Sequence, residues 1–574
     1  MLTPRAKKEI YLDGKFSLSA SVNVTVNNEI SAKVFNVLTI FFNAFKMSFT
    51  SVEDNADIIL ELDETLSDKT EHYKISISEE GIKLSFADFL GGRNAAASLY
   101  QLIRFNDGDY FAVAAEIDDW ADNRMRGILL DPARRYLPVN EFKETFIRMA
   151  LDKMNIAHLH LMDYEAYVLQ SHKYPEANDE DFGFYKTEEM RDIVAFGQSL
   201  GIECIPEIEL PAHATPLTKL FPFLRCETET VRPSTWAMCV GNEKFYEFFT
   251  DIINEVADVF PYEILHIGTD ELAMLDHDEP DFRAWPTWYD CKHCKKVAKE
   301  QGIYLTPAEK VAASEADGTF RERGIEGITE LFYYAVKRIH EIVKKAGKRM
   351  MMWNDYIDIS KPCDLPRDIL IHFWRIAMPY RGPITGCSMN EFLKAGFEVI
   401  NSHYAETYVE ADFYGPEVPL NTWAPGVYPP SDSKYRDQIL GGWPSAWSNF
   451  EHYAYTLPST LAFYADRLWD ESVGYYGDDF CKSITRLILG PSIPDGFNVF
   501  AALGGYFIPR SHSNIKKEDR LYGRVNKVKI SAEEVAETED VLRTLANSET
   551  LEGCIAGIYA DCVRWVYEQM TQNK

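Results

Sequence analysis

Ile264-Leu265-His266-Ile267-Gly268-Thr269-Asp270-Glu271 is the stretch whose reading decides the fold. As a strand it puts His266, Gly268 and Asp270 on one side and Ile267 and Thr269 on the other. Glu271 breaks the alternation. Two adjacent carboxylates can then address one substrate only where the strand ends and the backbone turns, at the C-terminal rim of a parallel sheet or barrel. Crowded together they cannot both ionise freely, so one pKa rises and that group can serve as an acid near neutral pH. A solvated acidic pair opening a loop is the plainer reading of the same dipeptide, and the rest of the chain decides between them.

Outward from this stretch the chain repeats one unit, a short apolar strand ending in polar residues followed by a helix. The strand candidates are GILLD (127–131), IAHLHLMD (156–163), ECIPEIEL (203–210), ILHIGTDE (264–271), MMMWND (350–355), ILIHFW (369–374), EVINSH (398–403) and GGWPSAW (441–447). Eight such strands close a parallel barrel. The intervening helices have readable ends. Thr187 is a candidate cap ahead of Glu188 and Glu189, with Gly201 as the stop. Ser388 and Glu391 form a capping-box pattern ended by Gly396, and residues 243–260 place Phe245, Phe249, Ile252, Ile253 and Val256 on one side. An open doubly wound sheet would need a glycine-rich turn after its first strand, and no GxGxxG follows there.

Before the barrel, residues 1–125 alternate β-like runs (SVNVTV, DIILEL, YKISISEEGIKLSF) with two helical stretches, a small α/β domain whose role reads as structural support. The most apolar run, VFNVLTIFFNAF (34–45), is too short to span a bilayer and reads as a buried helix. After the barrel, assigned to 126–475, residues 476–574 read as a helical extension, with a capping box from Ser531 to Glu534. Packing on the barrel and homodimerisation are both open to it. The expected fold class is therefore α/β: a (β/α)8 TIM barrel with an N-terminal α/β domain and a C-terminal helical extension.

Of the 574 residues, 46% are hydrophobic and 13% aromatic, which indicates an ordered protein with a large core. A net charge of −30 sets nucleic acid and anionic membranes aside as partners. The opening MLTPRAKKEIYLDGKFS has no apolar signal core, and ten cysteines without one suggest reduced thiols and a cytoplasmic location. Cys291-Lys292-His293-Cys294 lacks a second CxxC to complete a zinc site, so it reads as surface thiols on a loop. It lies in a long insertion, about 276–327, that also holds Trp285 and Trp288 and is placed to build a substrate wall.

The strand ends supply a constellation: Asp131 with Arg134, Asp163, Glu207 and Glu209 followed by His213, Asp270-Glu271, Trp353 with Asp355, Trp374, Tyr408 and Trp447. Any one of the tryptophans can be core packing. Three on strand ends beside an acid pair, an Arg and a Tyr suit a site that grips a sugar by its apolar face and its hydroxyls.

The motifs RGILLDPARRYLP (126–138), KMNIAHLHLMD (153–163), GIECIPEIELPAH (201–213), HIGTDE (266–271), MMWND (351–355), SHYAETYVE (402–410) and GGWPSAW (441–447) stand in the order they have in the family 20 glycoside hydrolases, the β-N-acetylhexosaminidases. Over roughly residues 50–470 the chain resembles that family. The resemblance implies a retaining exo-glycosidase, needing no cofactor or metal, that removes terminal β-linked N-acetylhexosamine from small oligosaccharides or glycosides with the substrate's own acetamido oxygen as nucleophile. It implies Glu271 as acid and base, Asp270 on the acetamido N–H, and Tyr408 on the acetamido oxygen. Trp353, Trp374 and Trp447 would wall the acetamido pocket, Arg134 would hold ring hydroxyls, and Asp163 and His213 would orient the acid.

Several positions depart from the family pattern. PAH replaces PGH, Thr269 stands where Gly is usual, and MDYEAY replaces a TDDQGW-like run beside Asp163. Asn449 stands where a Glu usually binds distal hydroxyls, and Glu410 where Asp is usual, which points to an altered tolerance at C4 or C6 of the sugar. Two other classes compete. A metal-dependent amidohydrolase would use His158 and His160 with His213, His266 and Asp270, but alternation buries the HxH inside the second strand, where satisfied core histidines are the plainer reading. A non-catalytic carbohydrate-binding barrel is the other.

Overall fold

The computed structural model describes residues 1–45, 47–106, 109–272, 286–316, 325–359, 363–375, 387–409, 423–447, 458–472, 477–504, 528–548 and 550–572. Two sheets organise them. The first holds β1 (Lys8–Leu18), β2 (Ser21–Thr25), β3 (Ser48–Val52), β4 (Ile58–Leu62), β5 (Tyr73–Ser78), β6 (Gly81–Phe86), β7 (Ile103–Asn106) and β8 (Asp109–Asp119), in the order β1-β8-β5-β6-β4-β2-β3 with β7 on β8. Period-two burial is plain in β5, where Tyr73, Ile75 and Ile77 face the core and Lys74 and Ser78 face water. Helices Glu29–Phe42 and Phe89–Leu102 supply the opposing apolar layer. The first starts at Asn28, whose side chain accepts the Ser31 N–H at 2.8 Å.

The second sheet is the closed barrel: β9 (Met125–Leu130), β10 (Ile156–His160), β11 (Glu203–Glu207), β12 (Ile264–His266), β13 (Arg349–Trp353), β14 (Leu370–Phe373), β15 (Val399–Asn401) and, sharing the eighth place, β16 (Ile439–Gly442) and β17 (Ser445–Ala446). Every pairing is parallel, and β9 bonds both β10 and the β16–β17 pair, so no edge remains. Each expected strand is present, though the chain leaves β12 sooner than its alternation implies. Among the helices, Glu243–Val259 buries the five apolar residues its spacing marks. Thr187 is the first helical residue and not the cap: its N–H donates to Gln170 Oε1 at 3.0 Å, and the cap position falls to Lys186, whose N–H donates to Glu189 Oε2 at 2.9 Å.

Buried ion pairs join the two sheets. Lys153 Nζ lies 2.9 Å from Asp119 Oδ2, and Arg126 Nη2 lies 2.5 Å from Glu71 Oε2, all four side chains almost wholly buried. The Trp469 indole N–H donates to Asp119 Oδ1 at 3.0 Å. The C-terminal helices Ala532–Ala546 and Leu551–Gln572 pack on each other, and the Tyr100 hydroxyl donates to Glu552 Oε1 at 2.7 Å, docking the last helix on the N-terminal domain. Among the described residues, no helix is long and apolar enough to cross a membrane.

Candidate active site

Only three residues of β12 pair in the sheet before the backbone turns left-handed, with φ of +62° at Gly268, +89° at Thr269 and +47° at Glu271. Gly268 is required sterically, because a Cβ there would fall 1.8 Å from Glu209 Oε2. Thr269 is β-branched, and its positive φ stores roughly 1–3 kcal/mol of strain. The alternation read through Asp270 therefore stops at Ile267. What the turn achieves is convergence: Asp270 Oδ2 and Glu271 Oε2 come to 3.6 and 3.7 Å from the same atom, His213 Nε2. His213 is itself left-handed, at φ +52°.

A chain of charge runs inward from that imidazole. Its Nδ1 is 3.0 Å from Asp163 Oδ1, while Asp163 Oδ2 meets His160 Nε2 at 2.7 Å and Arg134 Nη2 at 2.6 Å. Arg134 also donates to Asp131 Oδ2 at 2.9 Å and lies 4.9 Å from the Trp447 ring. Burial works to raise the Asp163 carboxyl, but Arg134 and His213 outweigh it and hold the group well below the usual carboxylate range. Burial likewise works to lower His213, and Asp163 and Asp270 outweigh it, lifting the imidazole to about 9. Asp270 goes the other way: burial, with Glu271 beside it and His213 opposing, pushes its carboxyl up to about 7. Its Oδ1 is buried with no hydrogen-bond partner among the described residues.

The aromatic side chains form a neighbouring cluster, reached by Arg134 over the Trp447 ring. Trp374 and Tyr408 lie parallel with ring centres 5.9 Å apart, Tyr408 meets Trp447 edge-on at 5.7 Å, and Trp353 is 6.3 Å from both Trp374 and Trp447. Trp353 is the deepest, 1% exposed, stacked on His372 at 3.8 Å and donating its indole N–H to Glu207 Oε1 at 2.7 Å. Trp374 donates to Asp355, which also pairs with Arg375. The Trp447 indole nitrogen, like Asp270 Oδ1, is buried and unpartnered among the described residues.

Nine of the eleven sequence-predicted site residues thus meet in one place: Arg134, Asp163, His213, Asp270, Glu271, Trp353, Trp374, Tyr408 and Trp447. Glu410 and Asn449 lie outside the described residues, as does Trp285. Sequence reasoning missed Trp236, whose indole N–H donates to the Glu271 carbonyl at 2.9 Å and whose ring packs 4.1 Å from His213. It sits far from any strand end, and no motif signalled it.

The HxH pair also does more than fill the core. Both nitrogens of His160 are engaged, by Glu207 at 2.5 Å and by Asp163 at 2.7 Å. His158 lies in the barrel centre with ring centres 4.8 Å from His266 and 5.4 Å from His372, its Nε2 3.1 Å from Glu207 Oε2. His266 Nδ1 lies 2.9 Å from Glu207 Oε1, and His372 Nε2 lies 2.8 Å from Ser402 Oγ. Burial works to raise Glu207, and His266, His160 and His158 hold it down as a carboxylate. Three sets of His and carboxylate here come within 4.8 Å of one another: His158-Glu207-His266, His160-Glu207-Glu209 and His213-Asp270-Glu271. In the second, the nitrogens a metal would need are taken by carboxylates.

Cys291 and Cys294 correct the expectation of surface thiols. Both are fully buried, and their sulfurs meet those of Cys226 and Cys239. The second pair was hidden by its spacing, twelve residues in place of two.

Residues 124–452 match the family model described as glycosyl hydrolase family 20, catalytic domain, and residues 1–120 match that family's domain 2. The chain belongs to glycosyl hydrolase family 20. Among its curated relatives in this family are the β-hexosaminidases of Porphyromonas gingivalis, 26% identical over 463 residues (74% of this chain, 54% of that protein), and of Vibrio furnissii, 26% identical over 488 residues (78% and 72%). The chain thus spans about half the length of the first. Among solved family 20 structures, the exo-β-N-acetylglucosaminidase of Vibrio harveyi in complex with N-acetylglucosamine superposes with a TM-score of 0.70 at 22% identity, covering 85% of this chain and 76% of that one. The Flavobacterium johnsoniae chitobiase gives 0.67 at 19% identity, covering 100% and 93%. At these identities the superpositions speak to the fold.

Proposed function

We propose that this chain is a retaining exo-glycosidase that removes terminal β-linked N-acetylhexosamine through an oxazolinium intermediate. The observation that carries the reading is Asp270 Oδ1, a buried acceptor without a partner among the described residues, next to Glu271 and on the same rim as the cluster of Trp353, Trp374, Trp447 and Tyr408, which Arg134 joins to the acid group. An acetamido group fits both features: its N–H supplies the missing donor and its methyl the apolar contact. Burial raises the Asp270 carboxyl to about 7. Accepting the N–H favours its ionised form, so binding itself draws out the carboxylate that the cationic intermediate needs.

In the first step the acetamido oxygen attacks C1 as the bond from C1 to the leaving oxygen breaks, and Glu271 gives that oxygen its proton. Asp270 offsets the positive charge spreading onto the acetamido nitrogen, and the Tyr408 hydroxyl donates to the acetamido oxygen. In the second, the Glu271 carboxylate takes a proton from water, whose oxygen opens the oxazolinium ring at C1 with net retention. General acid and base help of this kind contributes about 10²–10⁴-fold in rate. The names of the curated relatives, β-hexosaminidases, support the same substrate class. Small glycosides in a reducing cytoplasm are the proposed setting, supported by ten cysteines none of which is joined in a disulfide. Asn449 in place of a carboxylate supports tolerance of a substituent at C4 or C6.

The test uses aryl β-N-acetylglucosaminide and galactosaminide with successive fluorination of the acetyl group. Each fluorine weakens the amide oxygen as a nucleophile, so kcat should fall steeply along the series, and Asp270→Asn and Glu271→Gln should each lose at least about 100-fold. A flat response to fluorination, or an Asp270→Asn protein as fast as its parent, removes the acetamido group from the mechanism.

A further inference from the structure

We propose that Cys226, Cys239, Cys291 and Cys294 bind one structural zinc ion, and that this ion fixes the loop whose Trp236 positions Glu271. The four sulfurs lie within 4.8 Å of one another, with Cys239 Sγ 3.5 Å from Cys291 Sγ and 3.8 Å from Cys294 Sγ. A tetrahedron of Zn–S bonds of about 2.3 Å has edges of about 3.8 Å. All four residues are 4% exposed or less, and no two are joined as a disulfide. Cysteines do bury singly as small apolar groups. Apolar packing, however, gives no reason for four sulfurs from two distant segments to converge at ligand spacing.

The surroundings are those of a metal knuckle. Gly241 follows Cys239 by two residues, and a Cβ on it would fall 2.5 Å from the Cys294 backbone nitrogen, so only glycine lets the two cysteine turns abut. Thr228 and Cys291 form an antiparallel bridge, and the Lys292 N–H donates to the Glu227 carbonyl at 3.0 Å. The buried Asp290 Oδ2 accepts three consecutive N–H groups, from Glu229, Thr230 and Val231, at 2.7 to 3.0 Å. Between residues 221 and 242 the chain has only one short 3-10 turn, Pro222–Leu224, of regular structure. A loop of that length with so little regular structure gains most from a cross-link.

From this knot the connection to the site is short. The Met238 carbonyl accepts the Trp288 indole N–H at 2.7 Å, and the Met238 N–H donates to the Pro211 carbonyl at 2.8 Å. Trp236, two residues earlier, accepts the Ala214 N–H on its carbonyl at 3.1 Å and donates to the Glu271 carbonyl. Trp236 is thus a positioning residue, holding the left-handed turn that carries Glu271. The metal assignment stands independently of the glycosidase reading; the positioning clause rests on it.

The experiment is zinc quantification on the full chain, purified without chelators or metal resin, alongside thiol titration before and after a mercurial reagent and growth in cobalt. We expect about one zinc per chain, released as four thiols are blocked, and the absorption of tetrahedral cobalt thiolate in the cobalt-grown protein. Cys291→Ser with Cys294→Ser should abolish metal binding; if that variant does not fold, the parent's metal content and thiol release still decide the matter. Zinc below about a tenth of an equivalent with all four thiols freely reactive, iron in its place, or zinc retained in the double variant would each overturn the proposal. On zinc release kcat should fall about tenfold with KM changed much less, as when support beneath a reactive group is removed. Unchanged kcat after full release refutes the positioning clause and leaves the metal result untouched.

Discussion

Replacing His213 with Asn tests the electrostatics of the acid pair most directly. Asn accepts the left-handed backbone at φ +52° better than most residues, so the turn should survive. At 3.6 Å from Asp270 Oδ2, a unit positive charge in an effective dielectric of about 20 is worth roughly 4–5 kcal/mol, or about 3 pH units. Water admitted by the smaller side chain reduces that to about 1–2 units. The carboxyl of Asp270 sits near 7 with His213 opposing its rise, and without the imidazole it should move to about 8–9. The assay is the pH dependence of kcat/KM on an aryl N-acetylhexosaminide, whose acid limb reports the free enzyme. That limb should move up by about 1–2 units, while the limb in kcat moves less, because bound acetamide already supplies a donor to Asp270. An acid limb that stays near 7 in a variant with native circular dichroism would refute the coupling drawn here.

Three further outcomes follow from the same geometry. His213 is raised in the folded protein from 6.5 to about 9, so its stabilising contribution is complete below 6.5 and lost as pH rises through 9. Urea unfolding of the parent and His213→Asn should differ most at the lower pH, with the gap shrinking by up to about 3 kcal/mol across that window. Thr269→Gly relieves a β-branched residue at φ +89° and should raise stability by about 1 kcal/mol by thermal or urea melting; a loss would mean that the Thr269 hydroxyl, 3.3 Å from the Trp353 carbonyl, matters more than the strain. Glu71→Ala leaves Arg126 buried and unpaired between the N-terminal domain and the barrel, and should cost about 3–5 kcal/mol. A cost below 1 kcal/mol would indicate that the carbonyls of Lys153 and Asn123 satisfy that guanidinium alone.

Much of this was legible in the chain because it rests on local rules. The barrel strands are short apolar runs bounded by turn residues, and the Ser388 and Ser531 helix starts carry capping boxes in their spacing. The acid pair was placed at the rim by a single break in alternation. What alternation could not foresee was where the strand gives way: the left-handed positions Gly268, Thr269 and Glu271 begin at a glycine beside which Glu209, just past the end of β11, leaves no room for a Cβ. Trp236 and the cysteine quartet were illegible for the same reason. Their partners lie tens of residues away along loops that carry no periodicity, and only closure of the barrel brings Cys226 and Cys239 to Cys291 and Cys294.

The centre of the barrel carries a consequence of its own. Beside the aliphatic filling contributed by Leu129, Ile205, Ile264, Met351, Leu370 and Ile400, the interior of this cylinder carries a polar knot of His158, His266, His372, Glu207 and Trp353, each leaning on at least one other. Swapping any one for leucine would orphan its neighbours in a space no water can reach. Single substitutions within this group all carry that cost. An engineer seeking new specificity in this scaffold is therefore better served by reshaping the mouth than by touching the keystone beneath it.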